Sequence, residues 1–114
     1  MRQDGKIDYI EWPAEKLPAT KAFYTAAFGW SFVDYGPSYA AFSDQGTDGG
    51  FVADAAEAPA KPLVILFATD LEAMLANVTA AGGAVTRPIF AFPGGRRFHF
   101  TDPSGNELAV WSER

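Results

Sequence analysis

The sequence contains no cysteine and only one histidine, His99. Without cysteine the chain forms no disulfide, has no thiolate nucleophile and cannot build a thiolate metal site. A lone histidine is more often a hydrogen-bonded structural residue than a catalyst, and we keep His99 as a catalytic candidate on chemical grounds alone. These scarcities exclude disulfide scaffolds, cysteine-dependent enzymes and zinc-thiolate modules.

Long apolar runs and excess positive charge are also missing. No segment reaches the ~18 apolar residues that cross a bilayer, and residues 1–12 lack the apolar stretch of a secretory signal. Fourteen acidic residues against nine basic ones give a formal charge of -5, which repels a phosphate backbone. We therefore expect a cytoplasmic protein that binds neither membranes nor nucleic acid.

Hydrophobic and aromatic residues, in contrast, are plentiful. They make up 48% and 15% of the chain, with ten Phe, four Tyr and three Trp. A chain of 114 residues has the size of one ordinary domain. The composition predicts a single folded domain over residues 1–114.

The first half has the pattern of a strand, a helix and three further strands. Residues 6–13 alternate polar and apolar, as in a strand, and end on a proline. A helix is predicted from Leu17, with Pro18 in its first turn, Gly29 as its stop and an apolar face made of Leu17, Ala22, Phe23, Ala26 and Ala27. Three β-prone segments follow, at 30–35, 38–44 and 49–54.

The second half repeats this order after a proline-bearing linker at 55–62. Residues 63–68 predict a strand, and 70–81 predict a helix capped by Thr69 or Asp70 and ended by Gly82 and Gly83. Three more strands are predicted at 84–92, 96–102 and 106–113. The predicted units are therefore 1–54 and 63–114.

Equivalent residues of the two halves are regularly spaced. Leu17 and Leu71 lie 54 positions apart, as do Gly29 and Gly83. Phe42-Ser43-Asp44 and Phe100-Thr101-Asp102 lie 58 apart. The spacing favours duplication over an unrelated α+β sandwich, and two such sheets are expected to enclose a pocket between their concave faces.

Two segments resemble a known superfamily. KAFYTAAFGW, at 21–30, and RRFHFTDPSGNELAVW, at 96–111, are similar to the helix-to-loop and C-terminal turn-strand segments of the vicinal oxygen chelate superfamily of glyoxalases, bleomycin resistance proteins and extradiol dioxygenases. The resemblance implies an α+β fold of two tandem βαβββ units that form a curved mixed sheet around a central cavity. It also implies a homodimer, and it implies no single activity.

Metal-dependent members of that superfamily place a His, Gln or Glu ligand on the first and the last strand of each unit. The matching positions here are Tyr9, Phe51, Leu63 and Ala109. Phe, Leu and Ala cannot ligate a metal and Tyr seldom does, so we predict neither the standard metal site nor another cofactor. The alternative is one divalent metal held by relocated carboxylates, Glu11 and Glu107.

The residues expected to line the cavity are mainly aromatic. We predict that a small, partly aromatic molecule is bound by Tyr9, Glu11, Phe51, Phe67 and Trp111. Glu11 and His99 are the catalytic candidates if a reaction occurs.

Alternation alone does not decide which face of the sheet His99 and Arg97 occupy. If Phe98 and Phe100 fill the core under the helix, then His99 and Arg97 lie on the cavity face, and otherwise the reverse holds. Arg96 and Arg97 are adjacent on a strand and point oppositely, so at most one is expected to bind an anionic group.

These observations favour a small-molecule-binding protein without the standard metal site. The alternative is a metal-dependent lyase, similar to lactoylglutathione lyase, or a dioxygenase whose ligands have moved to Glu11, Glu107 and His99. A third hypothesis is a dimeric interaction module.

Overall fold

The computed structural model describes residues 2–114. They form, in chain order, β1 (Ile7–Pro13), α1 (Leu17–Phe28), β2 (Val33–Asp34), β3 (Tyr39–Phe42), β4 (Asp48–Val52), β5 (Leu63–Phe67), α2 (Leu71–Ala80), β6 (Ala84–Phe92), β7 (Gly95–Thr101) and β8 (Glu107–Ser112). Neither helix within this described part is long and apolar enough to cross a membrane.

The chain divides into two compact units, and the first is Tyr9–Leu63. Its strands lie in the order β2-β3-β4-β1. β1 and β4 run parallel, because α1 carries the chain back to the same end of the sheet, whereas β2, β3 and β4 are antiparallel neighbours. The core beneath α1 contains Ala14, Leu17, Ala40, Phe42 and Phe51.

The second unit comprises Val64–Arg114 and the N-terminal segment that ends at Asp8. Its strand order, β6-β7-β8-β5, repeats that of the first unit, with β5 parallel to β8 and the other pairs antiparallel. Its core beneath α2 contains Ala68, Leu71, Phe98, Phe100 and Val110. The prediction of an α+β fold built from two βαβββ units is confirmed.

The division differs from the predicted one at its N-terminal edge, because the first residues are bonded to the second unit. The Gly5 amide donates to the Phe67 carbonyl at 2.8 Å, and an Asp4 carboxylate oxygen accepts from the Thr69 amide and hydroxyl, each at 2.7 Å. Residues 55–62 form neither helix nor strand.

The helix ends have the predicted residues. Gly29 has φ 75°, in the left-handed region, and its amide donates to the Thr25 carbonyl at 2.9 Å. Asp70 caps α2 by accepting a 3.0 Å hydrogen bond from the Ala73 amide.

Two predictions about the first unit need correction. Only Val33–Asp34 of the predicted strand 30–35 is extended, because Trp30 turns into the core and its ring stacks on Tyr24 at 4.8 Å. The predicted apolar face of α1 is buried only at Leu17, and Phe23 is 58% exposed. Tyr24 packs on the sheet in its place, with its ring 5.3 Å from that of Phe51.

Candidate functional site

Each four-stranded sheet has one face that packs on its helix and one that points away from it. We call the second the far face. In the second unit two rows of neighbouring residues cross the far face from β5 to β6, and each row follows the strand register. The first row is Phe67, Trp111, Arg97 and Phe90, and the second is Ile65, Ala109, His99 and Arg87.

Aromatic rings form a strip that begins in the first row, with Phe67 and Trp111, and continues to Phe92. The Trp111 ring lies 5.5 Å from Phe67 and 6.2 Å from Phe92. Its indole nitrogen donates to an Asp8 carboxylate oxygen at 2.9 Å, which fixes the plane of the ring. Phe67 is buried, whereas Trp111 and Phe92 are half-buried, and the Arg2 guanidinium lies over the Trp111 ring, 5.0 Å from its centre. The predicted ligand-binding residues Phe67 and Trp111 therefore lie in contact.

Two arginines flank Phe90 on the same face. The Arg87 guanidinium lies 3.7 Å from the centre of the Phe90 ring, and that of Arg97 lies 5.5 Å from it. Arg97 also lies 5.7 Å from the Phe92 ring. At such distances a guanidinium is attracted by the ring's quadrupole in a cation–π contact. The second unit thus combines aromatic surface with positive charge.

The open question about His99 is answered by the packing of its neighbours. Phe98 and Phe100 are in the core beneath α2, so His99 and Arg97 lie on the far face. His99 is only 8% exposed, and its Nδ1 lies 3.4 Å from Glu107 Oε2. Its buried Nε2 has no hydrogen-bond partner among residues 2–114.

The surroundings of His99 favour its neutral form. Burial lowers the pKa of the imidazole, and the positive charge of Arg97 lowers it further, whereas Glu107 opposes both effects. A neutral imidazole with its proton on Nδ1, facing Glu107, leaves Nε2 as a hydrogen-bond acceptor. The Nε2 atom of His99 is therefore a hydrogen-bond acceptor and a base on the far face.

Arg96 confirms that the adjacent arginines diverge. Its guanidinium binds both Glu72 carboxylate oxygens on α2, at 2.6 and 3.1 Å. This contact lowers the pKa of the Glu72 carboxyl. Only Arg97 of the pair lies on the far face.

The far face of the first unit carries Tyr9 and Glu11, as predicted from alternation. The Tyr9 and Tyr39 hydroxyls are hydrogen-bonded to each other. Burial raises the pKa of the Tyr9 phenol, and the negative charges of Glu11 and Asp48 raise it further. Glu11 itself is 7% exposed. The two predicted residues therefore form a polar cluster with Tyr39, in which Glu11 is buried and the two tyrosines are half-buried.

Gly50 makes room for this cluster. It pairs with Glu11 in the parallel register of β1 and β4, and the Tyr39 ring lies directly over it. A Cβ atom at this position would collide with the Tyr39 ring and hydroxyl. Glycine is thus required here by the close approach of Tyr39.

Phe51 does not share the face of Glu11. It pairs with Trp12, is 2% exposed and packs beneath α1, so the structure moves it from the predicted cavity lining to the core. A shift of one residue in register transfers a side chain to the opposite face. Gly50, rather than Phe51, is the β4 residue beside Glu11.

Several residues of the far faces were missed by sequence reasoning. Arg87 and Phe90 lie on the same face although they are three residues apart, because β6 is irregular on both sides of Arg87. Pro88 is a local signal for such an irregularity, because prolines within sheets are confined to edge strands and bulges. Tyr39 and Phe92 had no signal beyond their aromatic character.

The family model of the glyoxalase/bleomycin resistance protein/dioxygenase superfamily matches residues 6–110. The chain belongs to this superfamily. No curated protein matches it. Among solved structures it is similar to a Mn(II)-bound glyoxalase from Novosphingobium aromaticivorans, at 25% identity and a TM-score of 0.69, over 99% of this chain but only 40% of the glyoxalase.

Two more distant structures show the same fold. A methylmalonyl-CoA epimerase from Mycobacterium tuberculosis is 12% identical with a TM-score of 0.72, and the match covers 98% of this chain and 90% of the epimerase. A superfamily member from Vibrio splendidus 12B01 is 12% identical with a TM-score of 0.68, and the match covers 94% of this chain and 97% of that protein.

The donor set at the superfamily's ligand positions does not suit a divalent metal. With the register corrected, these positions hold Tyr9 and Gly50 in the first unit and Leu63 and Ala109 on the strands β5 and β8. Glycine, leucine and alanine have no donor atoms in their side chains. Within residues 2–114 no three His, Asp or Glu side chains are grouped closely enough to hold a metal ion.

Proposed function

We propose that this member of the superfamily binds a small, partly aromatic molecule on the far face of the second unit without the standard metal. The observation that carries the proposal is the strip of Phe67, Trp111 and Phe92, with ring centres 5.5 and 6.2 Å apart. Small-molecule sites typically combine such apolar surface with a few polar groups.

The physical basis is the incomplete burial of the strip. Trp111 and Phe92 are half-buried, and each new aromatic contact contributes about 0.5–1.5 kcal/mol beyond the area it buries. The hydrogen bond from Trp111 to Asp8 holds the ring in place before a ligand arrives. A preorganised ring loses little conformational entropy on binding.

A thermal-shift screen in EDTA tests this function. Small aromatic compounds, antibiotics and thiol conjugates are screened, and a compound that binds only the folded state raises its apparent stability. We expect at least one aromatic compound to raise Tm. Its affinity should fall in Trp111→Leu and Phe92→Ala, and remain unchanged in Phe28→Ala, which removes a ring that is 64% exposed on α1. The proposal is wrong if no aromatic compound shifts Tm, or if both far-face variants bind normally.

The second candidate is a metal-dependent lyase or dioxygenase with relocated ligands. It is favoured by the contact between His99 and Glu107, two of the three relocated donors, and by the similarity to a Mn(II)-bound glyoxalase. Elemental analysis of the dialysed protein separates the candidates. Stoichiometric Ni, Zn, Mn or Fe that is lost in Glu107→Ala or Glu11→Ala would overturn the metal-free proposal and favour the metal-dependent candidate.

A further inference from the structure

We propose that the ligand of this face is a small aromatic anion that also carries a hydroxyl group, with its charge held by Arg87 and its hydroxyl by His99 Nε2. The inference rests on the proposed function and adds the chemical class of the ligand. It depends on one cation and one acceptor that lie on neighbouring strands.

Arg87 supplies the positive charge. Its guanidinium stacks on Phe90 at 3.7 Å, and no carboxylate within residues 2–114 forms an ion pair with it. Arg97 lies on the same face, over Phe90 and Phe92. A chain with a formal charge of -5 repels small anions in general, so such a site needs local positive charge to bind one.

His99 supplies the acceptor. Its Nδ1 faces Glu107 Oε2 at 3.4 Å, which directs the lone pair of a neutral imidazole to Nε2. Nε2 is buried and has no hydrogen-bond partner in the described chain. Buried polar atoms in folded proteins almost always have a partner, so Nε2 has an acceptor position that a group of the ligand can fill. A hydroxyl donates the hydrogen bond that an anionic oxygen cannot.

Phe90 connects the two groups. Arg87 and His99 are direct neighbours in the register of β6 and β7, and the Phe90 ring lies 5.8 Å from the His99 ring as well as beneath Arg87. A planar ligand that lies beside this ring reaches the guanidinium with one substituent and the imidazole with another. Hydroxybenzoates have this combination of ring, anion and hydroxyl.

The experiment compares matched probes by isothermal titration calorimetry in EDTA. The three hydroxybenzoate isomers are titrated together with benzoate, which lacks the hydroxyl, and the hydroxybenzamides, which lack the charge. Arg87→Gln is compared with Arg96→Gln, a matched control that removes the same charge from an arginine bound to Glu72. His99→Phe tests the acceptor, and its Tm shows whether it is folded.

We expect at least one hydroxybenzoate to bind about tenfold more tightly than its amide, as for a charge-assisted hydrogen bond. Arg87→Gln should abolish this preference and Arg96→Gln should retain it. In His99→Phe the hydroxybenzoate should bind no better than benzoate. Added salt should weaken the wild-type affinity.

Other outcomes overturn the inference and separate it from the proposed function. If the hydroxybenzoates and their amides bind with equal affinity, or if Arg87→Gln keeps the preference for the acid, then Arg87 does not bind an anionic group. A hydroxyl preference that persists in His99→Phe removes the role of His99. If other aromatic compounds bind through Trp111 while every hydroxybenzoate fails, only this inference falls; if no aromatic compound binds at all, both proposals fall.

Discussion

At the scale of residues, the fold alters the acid–base chemistry of His99. Burial and Arg97 lower its pKa, Arg87 adds to this effect, and Glu107 opposes it. Because it is the only histidine, its Hε1 ring proton gives the single histidine Hε1 resonance in NMR. We expect this resonance to titrate below the ordinary histidine pKa of about 6.5. A titration at or above that value would contradict the burial seen here.

The same shift predicts how stability depends on pH. The unfolded chain regains the ordinary pKa, so between about 6.5 and the lower folded value the unfolded state binds more protons than the folded state. The free energy of unfolding contributed by His99 should therefore be complete above 6.5 and decrease as pH falls through this window. Urea unfolding of wild type and His99→Gln across this pH window measures that contribution. If His99 is not involved, the free energies of unfolding of the two proteins should change with pH in the same way.

The contact between Glu107 and His99 can be tested by a single substitution. Its carboxylate raises the pKa of His99, so Glu107→Gln should move the NMR titration of His99 to lower pH. Glu72→Gln removes a carboxylate bound to Arg96 instead and serves as the control. An unchanged titration in Glu107→Gln would show that the 3.4 Å contact is not formed in solution.

Gly50 allows a direct test of packing on the other far face. Gly50→Ala places a methyl group against the Tyr39 ring, and overpacking of this kind typically costs about 1–3 kcal/mol of stability. The cost should fall in a Tyr39→Ala background, because the colliding ring is gone. An equal cost in both backgrounds would assign the effect to the β4 backbone instead.

At the scale of elements, the duplicated helices begin differently. Asp70 caps α2 by a hydrogen bond to the Ala73 amide, whereas Lys16 at the start of α1 makes no side-chain capping bond within residues 2–114. We expect Asp70→Ala to cost about 1 kcal/mol in urea unfolding, while Asp70→Asn retains the cap and most of the stability. Lys16→Ala should have little effect. Equal losses in Asp70→Ala and Asp70→Asn would show that charge, not capping, is responsible.

Elements were predictable from the sequence where one local signal decided them. Pro18 in the first turn and Gly29 at the end mark the limits of α1, and Asp70 marks the start of α2. The predicted strand 84–92 has the same bounds as β6. Trp30 was misassigned to a strand because its β propensity is outweighed by packing on Tyr24, a tertiary contact.

The site was less predictable, because strand faces depend on register. Alternation places Tyr9 with Glu11, as the structure does, but matching the two halves by motif puts β4 one residue out of phase and predicts Phe51 where Gly50 lies. Arg87 and Phe90 share a face only through the irregularity in β6, which simple alternation cannot show.

At the scale of the whole molecule, we propose a homodimer, since members of this superfamily commonly dimerise and closed symmetric pairs are the commonest assemblies. Light scattering of the purified protein should give twice the chain mass of 12.3 kDa. A mass near that of one chain, independent of concentration, would exclude the dimer.

The central claim is that the second unit binds an aromatic ligand without a metal, and Trp111 reports on it most directly. Its indole N–H, now bonded to Asp8, gives its own signal in the NMR spectrum of the ¹⁵N-labelled protein. When an aromatic compound from the thermal-shift screen is titrated in EDTA, we predict saturable shifts of the Trp111 indole and His99 signals. No shift in EDTA, followed by a shift once diamagnetic Zn²⁺ is added in excess over the EDTA, would contradict the claim.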